Sequence, residues 1–243
     1  MVQLQRISAE WNCPVVVAAT GPSLTVDVAA KVRRARWPSE KCRVVAVNDA
    51  YRLLPYADVL YACDENWWTL HLDSVRKMFH GERWTTHEEN LGGNGQHVND
   101  KRALADAGLN FVRGRDGDVF STDPGTIHYG SNSGFQAVNL AILKGATQVI
   151  LVGFDMGGPG HFFGDHPAPL HNRSSYRDFI APFRHAAKTC PVPIVNATPQ
   201  SALDCFPRMD LDDALAETLC GPDGMSDRDR PESDASADRH CAA

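Results

Sequence analysis

Five short apolar runs, each followed at once by small or polar residues, constrain the fold of this chain most strongly. They cover residues 14–19, 43–47, 58–62, 148–153 and 193–197. Unbroken runs of this length, rich in Val and Ile, are typical of strands that are buried on both faces of a sheet. Helical periodicity between them covers residues 26–36, 132–144 and 176–188. This alternation predicts an α/β fold with a mostly parallel, doubly wound sheet.

The alternating pattern weakens between residues 67 and 126. Two glycine-containing stretches, 91–95 and 113–118, interrupt it, and such stretches are typical of loops. We interpret residues 67–126 as a less regular insertion that forms a lid or an acceptor-binding surface. From residue 221 onward Pro, Asp, Ser and Arg dominate, which predicts a disordered tail over residues 221–243. One α/β domain then spans residues 1–220.

The composition is that of a soluble globular protein with an acidic balance, and the formal net charge is −6. Such a charge provides no general field to attract nucleic acid or an anionic membrane, although a local groove for nucleic acid stays open. The seven cysteines are widely spaced and include no Cys-x-x-Cys pair, which favours free thiols over disulfides or a zinc site. No stretch approaches the ~18 apolar residues of a membrane span. These features predict a cytoplasmic protein.

The turn after the first predicted strand is a candidate nucleotide-binding element. It consists of Thr20, Gly21, Pro22 and Ser23. Backbone N–H groups at the start of the helix that follows would suit phosphate oxygens. The turn is neither a Walker P-loop nor a G-x-G-x-x-G fingerprint, which argues against ordinary NTPases and dinucleotide enzymes. A purely structural turn is the alternative.

Polar residues also follow the second and third predicted strands. Asn48 follows the second strand and could bind a ribose or a base, or form an Asx turn. Asp64 and Glu65 follow the third strand and could face a metal ion or an acceptor hydroxyl. Solvated loop carboxylates are the alternative for this pair. No metal site is firmly predicted.

The start of the helix over residues 132–144 is a second candidate anion site. Asn132, Ser133 and Gly134 resemble a helix N-cap, whose amide and hydroxyl groups would face an anion at the positive end of the helix dipole. The strand that follows this helix ends just before Asp155, which we place among the nucleotide-binding residues. Both elements therefore point to one site for a phosphorylated ligand.

A loop beyond Asp155 collects several ionisable side chains. His161, Asp165 and His166 lie within six residues of one another, and His171 follows. Histidine is the side chain best suited to act as a general base near neutral pH. Two imidazoles and a carboxylate could also hold a divalent ion. The loop therefore supplies the candidate catalytic residues.

Several of these blocks together resemble a known family. Residues 15–24 resemble the opening of the bacterial family 42 sialyltransferases, a hydrophobic strand followed by G-N-G-P-S-L. Residues 132–134 and 145–155 are similar to their T-S-G … L-G-x-x-x-I-x-L-x-G-x-D block, and residues 161–164 to their H-Y-x-G loop. The related MptE-like (6-hydroxymethylpterin diphosphokinase-type) proteins look similar too. So do uncharacterised phage and prophage proteins with a His-x-x-Gly-Asp-His-Pro loop.

The resemblance implies a Rossmann-like nucleotide-binding domain that uses a CMP-activated donor without an essential metal. It places Asn48 at a position that contacts the nucleotide. It assigns the general base to His166, with Asp165 at the strict motif position one residue earlier. His161 matches the first histidine of the family's loop and, together with Asp155, would orient that loop.

We therefore hold three hypotheses for the function. The first is a nucleotide-binding, glycosyltransferase-like transferase that moves a group from a small-molecule, nucleotide-activated donor to the hydroxyl of an unidentified acceptor. The second is an Mg²⁺-dependent diphosphokinase that uses ATP, with Asp64, Glu65 and Asp155 facing the metal. The third is a phage accessory or assembly protein that has this fold and no catalysis. A homo-oligomer stays open in each case.

Overall fold

A single parallel sheet organises the protein. The computed structural model describes residues 2–37, 41–87, 101–158, 160–166, 170 and 175–219. Within these residues the sheet has eight strands, in the order β6-β5-β4-β3-β2-β1-β7-β8. They are β1 (Cys13–Ala18), β2 (Arg43–Val47), β3 (Val59–Tyr61), β4 (Glu82–His87), β5 (Leu109–Arg115), β6 (Thr126–His128), β7 (Ala146–Val152) and β8 (Ile194–Asn196).

Helices connect most of these strands. They are α1 (Val26–Arg36), α2 (Glu65–Met78), α3 (Lys101–Asp106), α4 (Ser133–Leu143), α5 (Tyr176–Ala186) and α6 (Leu211–Leu219), with a 3-10 helix over Asn48–Arg52. All strand pairings are parallel. The predicted α/β, doubly wound fold is therefore confirmed, and it is Rossmann-like.

The strand order reverses between β1 and β7. The chain builds the sheet outward from β1 to β6, and α4 then returns it to β7 on the other side of β1. In register, Ala18 at the end of β1 lies beside Val152 at the end of β7. Ligands of open α/β sheets bind outside the carboxyl ends of the strands at such a reversal point. The topology therefore places the candidate site above β1 and β7.

The sheet is buried on both faces, which explains the unbroken apolar runs. Along β1, Val16 and Ala18 pack in a core with α1, α2 and α6, while Val15 and Val17 pack in a second core with α4 and α5. Successive side chains of a strand point to opposite faces. Because a core covers each face, every position of such a strand must be apolar.

The described part of residues 67–126 extends the same sheet. It contributes most of α2 together with β4, α3 and β5, and β6 begins at its last residue. The search for apolar runs missed β4 and β5 because these strands contain charged residues, as at Glu82, Arg113 and Arg115. Residues 88–100 and the predicted tail at 221–243 lie outside the described residues. The predicted lid or acceptor-binding role of residues 67–126 stays a prediction.

Two further expectations concern thiols and membranes. The cysteines within the described residues are free, at positions 13, 42, 63, 190 and 205. Across the described ranges, no helix combines the length and the apolar character needed to cross a membrane.

Lys144, at the end of α4, is a buried cation that ties this helix to β4. The residue is 4% exposed, and its Nζ donates a hydrogen bond of 3.0 Å to Glu82 Oε1. The ring centroids of Trp11 and Trp84 lie 5.1 and 5.4 Å from Nζ. Cation–π contact and a charged hydrogen bond both favour the ammonium group here.

Replacing Lys144 with methionine should therefore lower the free energy of unfolding by about 2 kcal/mol, the scale of a hydrogen bond between charged groups. Urea denaturation of the full chain measures the change. Lys188→Met is the control, because Lys188 is exposed and its replacement should leave the urea midpoint unchanged. Equal midpoints for the two variants would contradict the assignment.

Candidate functional site

A cavity of about 340 Å³ lies at the reversal point of the strand order. It is bounded by the segments that follow β1, β2, β3 and β7, by the start of α4 and by the loop that contains His161 and His166. Eleven of the predicted site residues line it: Thr20, Gly21, Pro22, Asn48, Asp64, Asn132, Ser133, Gly134, Asp155, His161 and His166. Ser23, Glu65 and Asp165 do not line it.

Asp155 holds the turn between β1 and α1. Its Oδ2 accepts a hydrogen bond of 2.7 Å from Ser23 Oγ, and its Oδ1 accepts one of 3.2 Å from Ser23 N. Gly21 N donates to the carbonyl of Gly153 at 2.9 Å. Thr25 rather than Ser23 caps α1, because Thr25 Oγ1 accepts from Val28 N. Asp155 and Ser23 are therefore engaged with each other, and Asp155 lines the cavity.

The start of α4 matches the predicted N-cap. Asn132 Oδ1 accepts a hydrogen bond of 2.9 Å from Phe135 N, and Asn132 has extended backbone geometry. Ser133 Oγ lies 3.0 Å from Cys63 Sγ and accepts from Cys63 N, which joins α4 to the end of β3. The first N–H groups of a helix lack acceptors within the helix. Ser133 and Gly134 therefore present backbone donors at the cavity.

Backbone strain is concentrated around the cavity. Asn48, Ser131 and Met156 line it and have φ angles of 48°, 64° and 51°. Left-handed backbone is uncommon for residues other than glycine and occurs often at binding sites. In addition, Asn48 Oδ1 is buried and has no hydrogen-bond partner within the described part of the chain. This amide oxygen is suited to accept a hydrogen bond from a ligand.

The histidine loop is fastened to the end of β1. His161 and Gly164 exchange backbone hydrogen bonds of 3.0 and 3.2 Å, which forms a tight turn, and Phe162 N donates to the carbonyl of Thr20 at 3.0 Å. The side chains meet as well, because Thr20 Oγ1 lies 3.0 Å from His161 Nδ1. The ring centroids of His161 and His166 are 4.6 Å apart. The loop therefore presents two adjacent imidazoles to the cavity.

Both imidazoles favour the neutral form. Burial is the largest cause, and it lowers the pKa of His161 and of His166 below the usual 6.5. The neighbouring His166 lowers the pKa of His161 further, whereas Asp49 raises the pKa of each. His166 Nδ1 is buried and has no hydrogen-bond partner among the residues described. A neutral imidazole in a cavity can accept a proton from a substrate.

The predicted carboxylates have different surroundings. Asp64 Oδ1 caps α2 by accepting a hydrogen bond of 2.7 Å from Asn66 N, Asp155 binds Ser23, and Asp165 is exposed. Over the described ranges, no group of three or more His, Cys, Asp and Glu side chains is arranged to hold a metal ion. The described carboxylates and imidazoles therefore do not form a ready-made metal centre.

Several residues that line the cavity carry no sequence signal for a site. They are mainly apolar or aromatic: Cys63, Trp67, Met156, Leu170, Tyr176 and Phe179. Residues of this kind are ordinary core residues in a sequence. Their role depends on the packing of α2 and α5 around the strand ends, which no local pattern specifies.

Comparison with known proteins gives no relative from which a function can be transferred. No family model matches this chain, and no curated protein is significantly similar to it. The likeness described above therefore consists of short motif blocks alone, and the function must be argued from the cavity itself.

Proposed function

We propose that this protein is a nucleotide-binding transferase of the glycosyltransferase-like type. It would move a group from a nucleotide-activated donor to an acceptor hydroxyl, with His166 as the general base. One observation carries the proposal: a single cavity brings together the start of α4, two imidazoles whose pKa is lowered, and the Asn48 amide oxygen, which lacks a partner among the described residues. We propose a cytoplasmic enzyme, in which these residues act on small molecules.

The motif blocks support this proposal by their positions. Gly21, Ser133, Asp155 and His161 come from the blocks that resemble the family 42 sialyltransferases, Asn48 matches a single position of that family, and all five line the cavity. Residues far apart in the chain therefore meet where a nucleotide would bind. On this basis we propose that the chain is related to those enzymes and to the MptE-like proteins.

The donor would contact both the start of α4 and Asn48. The backbone donors of Ser133 and Gly134 at the positive end of α4 suit its phosphate oxygens. Asn48 Oδ1 suits an N–H or O–H group of the nucleoside. The turn at Gly21 lies beside Asn48 at this edge of the sheet, because it follows β1, which is the neighbour of β2.

In the proposed reaction the acceptor oxygen forms a bond with the activated carbon of the donor. The bond from that carbon to the phosphate oxygen breaks, and the nucleotide leaves with the electron pair. The acceptor proton passes to the His166 imidazole. His161, held by Thr20, would orient the loop. Such general-base assistance typically contributes about 10²–10⁴ in rate.

The hydrogen-bond contacts of the carboxylates fit this reaction better than they fit ATP-dependent pyrophosphoryl transfer. The diphosphokinase hypothesis gives Asp64, Glu65 and Asp155 the role of metal-facing carboxylates. Asp155 instead accepts hydrogen bonds from Ser23, and Asp64 accepts one from the α2 backbone. We therefore prefer transfer with a histidine base.

A thermal-shift screen tests nucleotide binding. We expect CMP, UMP, UDP, GDP, ADP or ATP, with or without Mg²⁺, to stabilise the full chain. A nucleotide at 100 times its Kd adds about 2.7 kcal/mol to the free energy of unfolding. For a chain of this size that raises Tm by roughly 5–10 °C.

Asn48→Gly provides the test of position, because glycine keeps the left-handed backbone and removes the amide. The nucleotide-dependent rise in Tm should shrink in this variant. Gln200→Gly is the matched control, since Gln200 also has a left-handed φ of 53° and is exposed away from the cavity. If no nucleotide raises Tm, the accessory-protein hypothesis replaces the enzyme.

A further inference from the structure

A buried charged cluster lies behind the cavity, and the reaction proposed above does not use it. Its centre is Asp49, which is 1% exposed. Asp49 Oδ2 accepts a hydrogen bond of 2.8 Å from Trp67 Nε1, and Arg52 Nη2 forms an ion pair of 2.9 Å with Asp49 Oδ1. His71 stacks on Trp67, and its Nε2 lies 3.9 Å from Asp49 Oδ1.

This cluster is connected to the histidine loop by direct contacts. Trp67 lines the cavity together with His166. The guanidinium of Arg52 lies 5.4 Å from the centroid of the Phe163 ring. That ring is 5.0 Å from the His161 ring and 5.1 Å from the His166 ring. Asp49 is therefore a buried carboxylate linked to the two imidazoles through Arg52 and Phe163.

A carboxylate is costly to bury, so its retention requires an explanation. The Asp49 carboxylate is almost completely removed from water, and its permanently charged partner among the described residues is Arg52. A hydrophobic residue would fill this volume with no loss of solvation. His71 gives little compensation, because burial lowers its pKa and favours the neutral ring. The charge is best explained by a role towards the cavity.

We propose that Asp49 is a positioning residue for His166, whose fixed negative charge stabilises the imidazolium that forms when His166 accepts the acceptor's proton. A buried carboxylate has this effect on the catalytic histidine of hydrolase triads. Here it acts through space, and Arg52, which contacts Phe163, partly offsets it. The inference depends on the proposed function only in the identity of the reaction, since the electrostatic relation between the two residues exists without a substrate.

Among the residues that the structure describes, the charged and titratable groups that act on His166 come from four segments. They are Asp49 and Arg52 of the 3-10 helix, Asp64 before α2, His71 of α2 and His161 of the same loop. Asp49 and Asp64 favour the protonated ring, while Arg52 and His71 disfavour it. Asp49 has the largest effect of these charges on the pKa of His166, after that of burial.

An NMR titration of the histidine side chains in the full chain tests the proposal without any substrate. The His166 signal is assigned by its loss in His166→Gln. D49N retains a side-chain oxygen for Trp67 and removes the charge, so the pKa of His166 should move down. D58N is the matched control: Asp58 is a mostly buried carboxylate paired with Arg36 and Arg43, but it precedes β3 at the other end of the strands. This control should leave the pKa of His166 in place.

A second variant keeps the proposal testable if D49N does not fold. The Arg52 side chain is 41% exposed, so R52Q should fold, and it removes the cation that offsets Asp49. The pKa of His166 should then move up, opposite to the change in D49N. A merely structural role predicts no such pair of opposite shifts. An unchanged pKa in R52Q, or equal shifts in D49N and D58N, would overturn the proposal.

Failure of the proposed function is recognised separately. If D49N and R52Q shift the His166 pKa in opposite directions while no nucleotide raises Tm, the Asp49–His166 relation is supported and the transfer reaction is not. Once a donor is identified, the rate can be measured against pH. The fall in rate on the acid side should occur at a lower pH in D49N than in the wild type, in step with the pKa of His166 measured by NMR. A fall at the same pH in both proteins would overturn the positioning role.

Discussion

Replacing His166 with alanine should reduce turnover by about 10²–10⁴-fold, the usual contribution of a general base. The nucleotide-dependent rise in Tm should persist, because the phosphate and nucleoside contacts proposed here come from α4 and Asn48. The loss should therefore appear in kcat rather than in donor binding. Steady-state rates with the donor identified by the thermal-shift screen measure it.

The control for this prediction is His80→Ala. His80 is exposed and follows α2 just before β4, at the amino end of the strands. Its replacement should leave the rate unchanged. Full turnover in the His166 variant would remove His166 from the mechanism and return attention to His161, the other imidazole at the cavity.

The wild-type pH profile gives an independent readout of the same assignment. Burial lowers the pKa of His166 below 6.5, so more of the ring is neutral at a given pH than in a free imidazole. The decline in rate on acidification should therefore be centred below pH 6.5. A decline centred well above pH 6.5 would indicate a different base.

The position of the site could be predicted from the sequence because parallel strands impose it. Thr20, Asn48, Asp64 and Asp155 each follow a different buried strand, and the carboxyl ends of parallel strands meet at one edge of the sheet. The N-cap at Asn132 was equally predictable, since capping depends on neighbouring residues alone. All five residues line one cavity.

The cluster around Asp49 shows what sequence patterns miss. Asp49 meets Trp67 and His71 because α2 packs behind the end of β2. In the sequence, Asp49 is a polar residue at a strand end, and Trp67 and His71 are residues of one helix face. Which side chains are buried together depends on tertiary packing, so neither propensity nor periodicity predicts it.

The position of Asp155 could be predicted from the sequence, but its role could not. Its place after β7 predicted a carboxylate at the site, and the structure agrees. Its partner, however, is Ser23, 132 residues earlier in the chain. Whether a strand-end carboxylate faces a ligand or fixes a neighbouring turn depends on this pairing, which requires the register of β1 against β7.

Replacing Gly21 with alanine should cost about 3 kcal/mol of stability, because no space exists for a methyl group. A Cβ at this position would overlap Asp155 Oδ2 and would lie 2.6 Å from the carbonyl oxygen of Gly153. The carboxylate could rotate away only by giving up both hydrogen bonds to Ser23. The carbonyl cannot rotate, since it accepts a hydrogen bond from Gly21 N. Urea denaturation measures the loss, and any remaining folded protein should have a weakened nucleotide-dependent rise in Tm.

Two comparisons make this prediction specific to the Gly21 turn. Gly157→Ala is the matched control, because a Cβ there would lie 3.6 Å from the Ala202 Cβ, an ordinary contact, and should change stability by less than about 1 kcal/mol. In the double variant Gly21→Ala/Asp155→Ala, the overlap with the carboxylate is removed while the approach to Gly153 persists. The double loss should therefore be smaller than the sum of the single losses, as expected for residues in contact. Additive losses would mean that contact with Asp155 does not fix the Gly21 turn. Asp155 would then be free to bind a ligand.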